Sequence, residues 1–427
     1  MNPRIAYLAP EIPSVSATFV YREMAAVERQ GVTVVPFTMR RVPSTAVSRD
    51  GLPWQDRVEV LYDEKLRLVG GALAFALRHP WRALRTLGRA LADTASGTFA
   101  RPRARWKVPA QALAGLHLAR RLRRRGVAHL HVHFANAPAT IGMYAAQAAG
   151  LPFSITAHAN DLYVEASLLR EKIERAAPFC TISNANRAAL EASLPGLQGT
   201  VALVRCGVDL ARFPPRERRR AVPARVVTVG RLVPKKGFDV LLRAVSELVR
   251  FWPEIHVEVL GDGPEREALE QEASALGIAQ RVRFHGAVDA DTVQAALATA
   301  ACFALPSRLD PDGDRDGIPV ALMEAMATAV PVVSTRVSGI PELIEHGRTG
   351  LLATPGRAAD LAACLHKSLG DAEGAHVLAL AGRDTVLEAF DQDRNAGRLL
   401  DLIHVRHAMR PDAVRMPVPS LALGAVR

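Results

Sequence analysis

Short apolar runs alternate with stretches of helical periodicity along the whole chain. In the first half, the runs Ile5–Ala9, Val32–Phe37, Leu130–Phe134, Phe153–Ala157, Phe179–Ser183 and Val201–Arg205 predict strands. In the second half, Val226–Gly230, His256–Gly261, Val282–His285, Cys302–Pro306, Val330–Ser334 and Leu351–Ala353 do the same. Strands that alternate with helices in this way belong to parallel sheets covered on both faces. At 427 residues, 49% of them apolar, the chain can bury two full cores. The expectation is therefore an α/β protein of two facing, Rossmann-like, doubly wound domains, with ligands in the cleft beyond the carboxyl ends of the strands. The polar stretch Pro214–Arg220 marks the junction. It divides the chain into an N-terminal domain 1–213, a linker 214–224, a C-terminal domain 225–389, a terminal helix 390–407 returning to the first domain, and a loose tail 408–427.

Composition narrows the class. Cys180, Cys206, Cys302 and Cys364 are widely spaced and give neither a zinc pattern nor a disulfide framework, which fits a reduced cytoplasm. Met1–Pro10 leads directly into a strand, and no apolar run reaches the roughly 18 residues needed to span a bilayer. The net charge of +11 is concentrated in 66–125, which holds 14 basic residues against the single acid Asp93. There Arg78, Arg82, Arg85 and Arg89 recur at helical spacing opposite Leu77, Trp81, Leu84 and Leu91, and Arg120–Arg125 adds a second basic cluster. This is the pattern of an interfacial helix on an anionic membrane; the alternative is a solvated basic face packed by its leucines onto its own domain. Nucleic acid is excluded as a partner, because no aromatic platform or recognition motif accompanies the charge. The expected location is cytoplasmic and peripheral, on the inner face of the cell membrane.

The chemistry concentrates in Asp316–Leu352. Asp316, Gly317 and Pro319, followed by Glu324, form a helix start suited to an anionic ligand: Gly317 admits a close approach, and Pro319 fits the first helical position. Met323, Met326 and Ala327 face the core, and Pro331 ends the helix. Two metal readings are disfavoured. His129, His131 and His133 share one strand face, but no carboxylate or Cys partner is evident, so packing or acceptor contact is expected. Asp310, Asp312, Asp314 and Asp316 alternate, yet the twelfth position of the calcium-type loop is Met323 rather than Glu. No metal and no cofactor beyond the donor substrate is expected.

The Asp316–Leu352 segment resembles the donor-site signature of the retaining glycosyltransferases of family 4, which have the GT-B fold. The resemblance covers nearly the whole chain and is similar to the colanic-acid-type exopolysaccharide enzymes in the loop and helix Glu11–Met24. It implies that Asp316, where the family carries Glu, and the amides of Gly317, Ile318 and Pro319 hold the sugar, while Glu324 holds the ribose. In Val229–Asp239, Gly230 belongs to the phosphate-binding turn, and Arg231 and Lys236 would neutralise the diphosphate. Gly261, Asp262 and Gly263 in GDGPE, with His285 and Gly286 in FHG, resemble the loops that carry base and phosphates. His158, in SITAHANDLY, would contact the donor sugar and stabilise positive charge at the anomeric carbon, and Asp161 would cap the helix that follows. On the acceptor side the resemblance implies Glu11, Ser14, Ser16, His133 and Asp161; the loop has Ser14, Val15 and Ser16 where many members have a Gly pair. The implied reaction moves a hexose from a nucleotide diphosphate sugar to a hydroxyl of a lipid-linked oligosaccharide, with retention and no protein nucleophile. A phosphorylase-like sugar-phosphate enzyme on the same fold and a non-catalytic membrane-bound partner of a transferase are the alternatives, the latter because Asp316 replaces Glu.

Overall fold

The computed structural model describes residues 3–14, 17–42, 49–217 and 221–403. The first sheet holds seven strands: β1 (Arg4–Glu11), β2 (Thr33–Arg40), β3 (Glu59–Val60), β4 (His129–His133), β5 (Phe153–Ala157), β6 (Phe179–Thr181) and β7 (Val201–Leu203). Their spatial order is β3-β2-β1-β4-β5-β6-β7, and every pairing is parallel. The second sheet holds six: β8 (Arg225–Val229), β9 (His256–Leu260), β10 (Val282–Gly286), β11 (Cys302–Ala304), β12 (Val332–Thr335) and β13 (Leu351–Ala353). Its order is β10-β9-β8-β11-β12-β13, again all parallel. The two doubly wound sheets make a GT-B architecture.

All five residues of β4 and of β5 are buried, as expected of strands covered on both faces. One face of the first sheet joins Leu130, Val132 and Ile155 to a helical layer; Ile5, Tyr7 and Ala9 of β1 pack with the helix Thr18–Arg29. The second domain forms one continuous core from Val226 to Val386. After Phe390 the chain crosses back: the helix Gln392–Leu402 packs Leu399 and Leu400 against the cluster of Ile5, Val20 and Val27, and Arg29 pairs with Asp393 at 2.5 Å.

Three differences from the sequence expectation carry information. The strand β3 was missed because two residues, one of them charged, leave no periodic signal. Ser183, Arg205, Gly230 and Pro306 lie beyond their strands, in the loops at the carboxyl ends. Pro319 is the residue before the helix Val320–Ala327, with ψ 127°, rather than its first turn.

The basic segment forms three α-helices, Lys65–Arg78, Pro80–Ser96 and Val108–Arg125; the first two are separated at His79, so Arg78 lies on a different helix from Arg82, Arg85 and Arg89. Small residues face inward: Ala72 and Ala83, with Phe75, pack against Leu116, Ala119 and Ala148. The large apolar side chains face out. Leu66 is 87% exposed, Leu77 76% and Trp81 81%, with Val69, Leu73, Leu84 and Leu91 also exposed. Packing of these leucines onto their own domain is thereby overturned: the inward positions already hold small residues at close helix–helix approach. No helix among the described residues is long and apolar enough to cross a membrane.

Candidate functional site

Three loops at the carboxyl ends of β8, β9 and β10 are stitched together by their backbones. Gly230 N–H donates to Leu260, Gly261 N–H to Gly286, and Leu232 N–H to Asp262. A Cβ on Gly261 would fall 1.9 Å from the Gly230 carbonyl oxygen, and its φ of +149° suits only glycine, so this residue is required by the approach of two loops. Asp262 and Arg231 are exposed at this edge, and the Asp262 carboxylate accepts from the Gly263 amide. The His285 side chain is engaged by Glu258 on the neighbouring strand, leaving the Gly286 backbone as the part of FHG that joins the loop cluster.

The turn after β8 ends in Pro234–Lys236, and the segment before the helix Val320–Ala327 runs beside it. Lys236 Nζ lies 3.0 Å from Asp316 Oδ1, and Lys235 Nζ 2.9 Å from Asp314 Oδ2. The second oxygen of Asp316 accepts from Ser307 Oγ at 2.7 Å. Asp316 is 8% exposed. Its shorter side chain is thus held on both oxygens, by a serine just after β11 and by the lysine of the phosphate-type turn. Of the four alternating aspartates, Asp314 and Asp316 pair with lysines.

Across the cleft, His158 follows β5. Its backbone N–H is held by both carboxylate oxygens of Asp161 at 3.0 and 3.1 Å, and Asp161 Oδ2 also accepts from Ala135 N–H at 2.5 Å. Asp161 therefore does not cap the helix Asn160–Tyr163: it lies inside it, fully buried, and reaches back to fix the strand end that carries His158. Buried in this way, it is a support for His158 rather than an acceptor contact. The His158 ring lies between Phe19 and Phe134, with centroids at 4.6 and 4.7 Å. Burial, aided by His133, pushes its pKa well below the ordinary imidazole value, so the ring is neutral.

His133 bridges His158 and Glu23. Its Nδ1 is 3.2 Å from His158 Nε2, and its Nε2 is 3.1 Å from Glu23 Oε1. His131 Nε2 lies 3.6 Å from the same oxygen, and Tyr7 donates to it at 3.0 Å. The expectation that the histidine face lacks a carboxylate is corrected: the helix Thr18–Arg29 delivers Glu23 to it, 110 residues away from His133 in sequence. The ligand-capable atoms of Glu23, His131 and His133 lie within 4.8 Å of one another. Of the other acceptor-side positions, Glu11 is exposed at the end of β1, Ser14 is buried, and Ser16 lies outside the described residues.

The two halves touch. A Cβ on Gly317 would fall 2.8 Å from Ile182 Cδ1 and 3.9 Å from Ala159 Cβ, so the Asp316 segment lies closely against the residue beside His158. Ile318 and Gly339 pack near Ser183. Arg315 stacks on the Tyr163 ring, its guanidinium carbon 4.0 Å from the centroid. Most consequential, Arg22 Nη1 donates to Glu324 Oε1 at 2.7 Å, with both side chains 9% exposed. Arg22, Glu23, Ser307 and Tyr7 were not found from sequence. Arg22–Glu23 was a readable signal: adjacent charges between the apolar residues Val20 and Met24 in the helix behind the first strand.

A cleft between two doubly wound domains, with a lysine–aspartate pair on one wall and a neutral histidine on the other, defines a GT-B transferase framework. Residues 223–371 match the family described as glycosyl transferases group 1, and the chain carries a group 1 glycosyltransferase domain. It is 34% identical over 214 residues to a GDP-mannose-dependent alpha-(1-6)-phosphatidylinositol monomannoside mannosyltransferase of Mycolicibacterium smegmatis, covering 48% of this chain and 56% of that protein. It is 36% identical over 205 residues to the putative colanic acid biosynthesis glycosyltransferase WcaL of Salmonella typhimurium, covering 48% and 50%. The matched region spans about half the length of these curated relatives. Among solved structures, sucrose-phosphate synthase from Thermosynechococcus elongatus aligns with a TM-score of 0.71 at 19% identity, over 96% of this chain and all of that one. Anabaena HepE in complex with UDP and glucose aligns at 0.68 and 16%, over 94% and 100%. At these identities the two structures speak for the fold.

Proposed function

We propose that this protein transfers a hexose, with retention, from a nucleotide diphosphate sugar to a hydroxyl of a lipid-linked oligosaccharide during surface or exopolysaccharide synthesis. The observation that carries this reading is the Lys236–Asp316 contact. It joins a cation suited to the diphosphate with a carboxylate suited to the sugar, at the junction where the glycosyl–phosphate bond would break. Relatives named for colanic acid and amylovoran biosynthesis, 36% and 40% identical, support the polysaccharide context.

In this reading the diphosphate lies over the Gly230–Lys236 turn, where Lys236, Arg231 and nearby amides stabilise the charge that grows on the leaving group. Asp316 and the Gly317–Pro319 backbone orient the sugar, and His158 faces it from the other wall. Glu324 receives the ribose hydroxyls. The acceptor oxygen attacks the anomeric carbon on the face from which the diphosphate departs, and the departing phosphate takes the acceptor proton. Contact between the domains excludes water and so limits donor hydrolysis. No metal ion takes part.

The helices Lys65–Arg78 and Pro80–Ser96 bring the enzyme to the cytoplasmic face of an anionic membrane. Their exposed leucines and tryptophan enter the interface while the flanking arginines meet lipid charge. The deciding experiment incubates the full chain with UDP-, GDP- and ADP-hexoses, with and without a lipid-linked oligosaccharide extract. Nucleoside diphosphate release and the product's anomeric configuration are measured, in EDTA and without it. Acceptor-dependent release with retention, unaffected by EDTA, is the expected result; release driven by inorganic phosphate alone would make the protein phosphorylase-like, and no turnover with any donor would make it non-catalytic.

A further inference from the structure

Glu23, His133 and His158 form a hydrogen-bonded chain whose direction is set by the carboxylate at its end when each ring carries one proton. An ionised carboxylate only accepts, so the His133 nitrogen 3.1 Å from Glu23 Oε1, Nε2, must carry a proton. Tyr7, donating to the same oxygen at 3.0 Å, leaves the carboxylate no reason to turn away. With its ring proton on Nε2, His133 presents Nδ1 as an acceptor. That nitrogen lies 3.2 Å from His158 Nε2, which must therefore donate to it. The rings have little freedom to reverse this order. His133 stacks on Tyr7 with centroids 5.9 Å apart and on His158 at 5.5 Å, and Phe19 and Phe134 close around His158. Meanwhile Asp161 fixes the His158 backbone.

We propose that Glu23 and His133 are positioning residues that hold His158 as the Nε2–H tautomer, so that Nδ1 is left to accept a hydrogen bond from a hydroxyl of the bound sugar. The role of the chain is orientation: His158 Nδ1 accepts a hydrogen bond from a sugar hydroxyl, while its Nε2–H is held by His133 and offers the sugar no donor. A donor that needs a hydrogen-bond donor at this place is disfavoured, because matching it would require flipping two buried rings or protonating one of them. The functional part of the proposal rests on the transfer reading given above; the tautomer part does not.

The test labels histidine with ¹⁵N in the full chain, identifies the His158 ring signals by their absence in His158→Asn, and follows donor kinetics in parallel. Wild type should show one His158 tautomer, protonated at Nε2. Two variants keep the fold testable: Glu23→Gln, nearly isosteric, and His133→Phe, which keeps ring stacking but cannot accept. Both should lose the single tautomer while thermal unfolding remains cooperative. In turnover, kcat should fall by about tenfold or more with donor KM little changed, the pattern of lost orientation rather than lost binding. A wild-type His158 protonated at Nδ1, or an unchanged single tautomer in both variants, overturns the proposal. So does stoichiometric binding of Zn²⁺ alone that is abolished by His133→Phe, which would make the Glu23–His131–His133 cluster a metal site. If the tautomer behaves as stated but wild type transfers no sugar, the positioning chain stands and the transferase reading falls.

Discussion

Arg22 and Glu324 meet across the cleft with both side chains 91% removed from solvent, and the same glutamate is the proposed ribose acceptor. A single carboxylate thus serves the interdomain contact and the ligand, which gives the two partners opposite expected effects. Replacing Arg22 by Met removes the guanidinium but keeps most of the apolar stem, and leaves Glu324 buried without its cation. Breaking one side of such a pair costs about 3 to 5 kcal/mol of stability. Glu324→Gln strands the guanidinium instead and should destabilise comparably. The double variant should cost clearly less than the sum of the two, with a coupling of roughly 1 to 3 kcal/mol. Nucleotide binding should separate what stability does not. Glu324→Gln loses the charged acceptor for the ribose and should weaken nucleoside diphosphate binding by about 1 to 3 kcal/mol, roughly 5- to 150-fold. Arg22→Met frees the same carboxylate for the ribose and should leave affinity unchanged or higher. Urea unfolding gives the first set of numbers and calorimetric titration with UDP, GDP and ADP the second. If Arg22→Met weakens binding as much as Glu324→Gln does, the pair acts as one structural bridge and the ribose assignment of Glu324 is refuted.

Other consequences are equally open to measurement. Lys236→Ala and Arg231→Ala should each lower turnover by about a hundredfold, the scale for removing one charge-stabilising donor, with the fold retained; near-normal transfer in either would sink its phosphate role. Asp316→Glu pushes the carboxylate roughly 1.5 Å forward, away from Ser307 and Lys236, and should reduce or alter donor-sugar preference while nucleotide affinity holds, as competition among UDP-hexoses would show. Leu77, Trp81 and Leu84→Ser together should release the protein from anionic vesicles in co-sedimentation without changing its urea midpoint by more than a few tenths of a molar, because these side chains are exposed; a large loss of stability would mean they pack. Burial pushes the His129 imidazole down to about 4, so between pH 6.5 and 4 the unfolded chain holds a proton that the folded chain lacks. Stability should therefore fall with acidification through that window, by up to about 3 kcal/mol from this site; His131 and His158, displaced in the same direction, add to the slope, and an unfolding free energy that stayed flat from pH 6.5 to 5 would contradict the burial.

The parallel sheets were readable because Ile5–Ala9 of β1, β11 and β13 are continuous apolar runs and most of the other strands carry Val, Ile or Leu, and such runs between helical stretches admit few alternatives. What the runs could not show is where a strand stops. Ser183, Gly230 and Pro306 read as strand residues, yet each lies past its strand's end, since the segments at the carboxyl ends are drawn from the same small and apolar residues as the strands themselves. Ser183 makes the point: its Oγ accepts from Asn186 N–H and starts the next helix, a role visible only once the strand is known to end two residues earlier. Spacing alone could not reveal the partners either. Glu23 reaches the histidine face, and Arg22 reaches Glu324, because a helix laid across the sheet turns adjacent residues to different neighbours, one toward the first sheet and one toward the second domain.

The same geometry accounts for the departure at position 316. A glutamate there would have to place its carboxylate past Ser307, whereas aspartate fits between Ser307 Oγ at 2.7 Å and Lys236 Nζ at 3.0 Å. The shorter side chain is therefore matched by a partner that the sequence motif does not contain. Ser307 sits nine residues upstream, and its backbone carbonyl accepts in turn from the Thr335 hydroxyl at the end of β12, so the position of the carboxylate is tied to two neighbouring strands of the sheet as well as to its own loop. A carboxylate so fixed, 8% exposed and charge-paired, is a built feature of the cleft wall and not a remnant of a lost site. This fixed carboxylate supports the proposed transfer reading over that of a silent partner, and Asp316→Ala with unchanged transfer would remove that support.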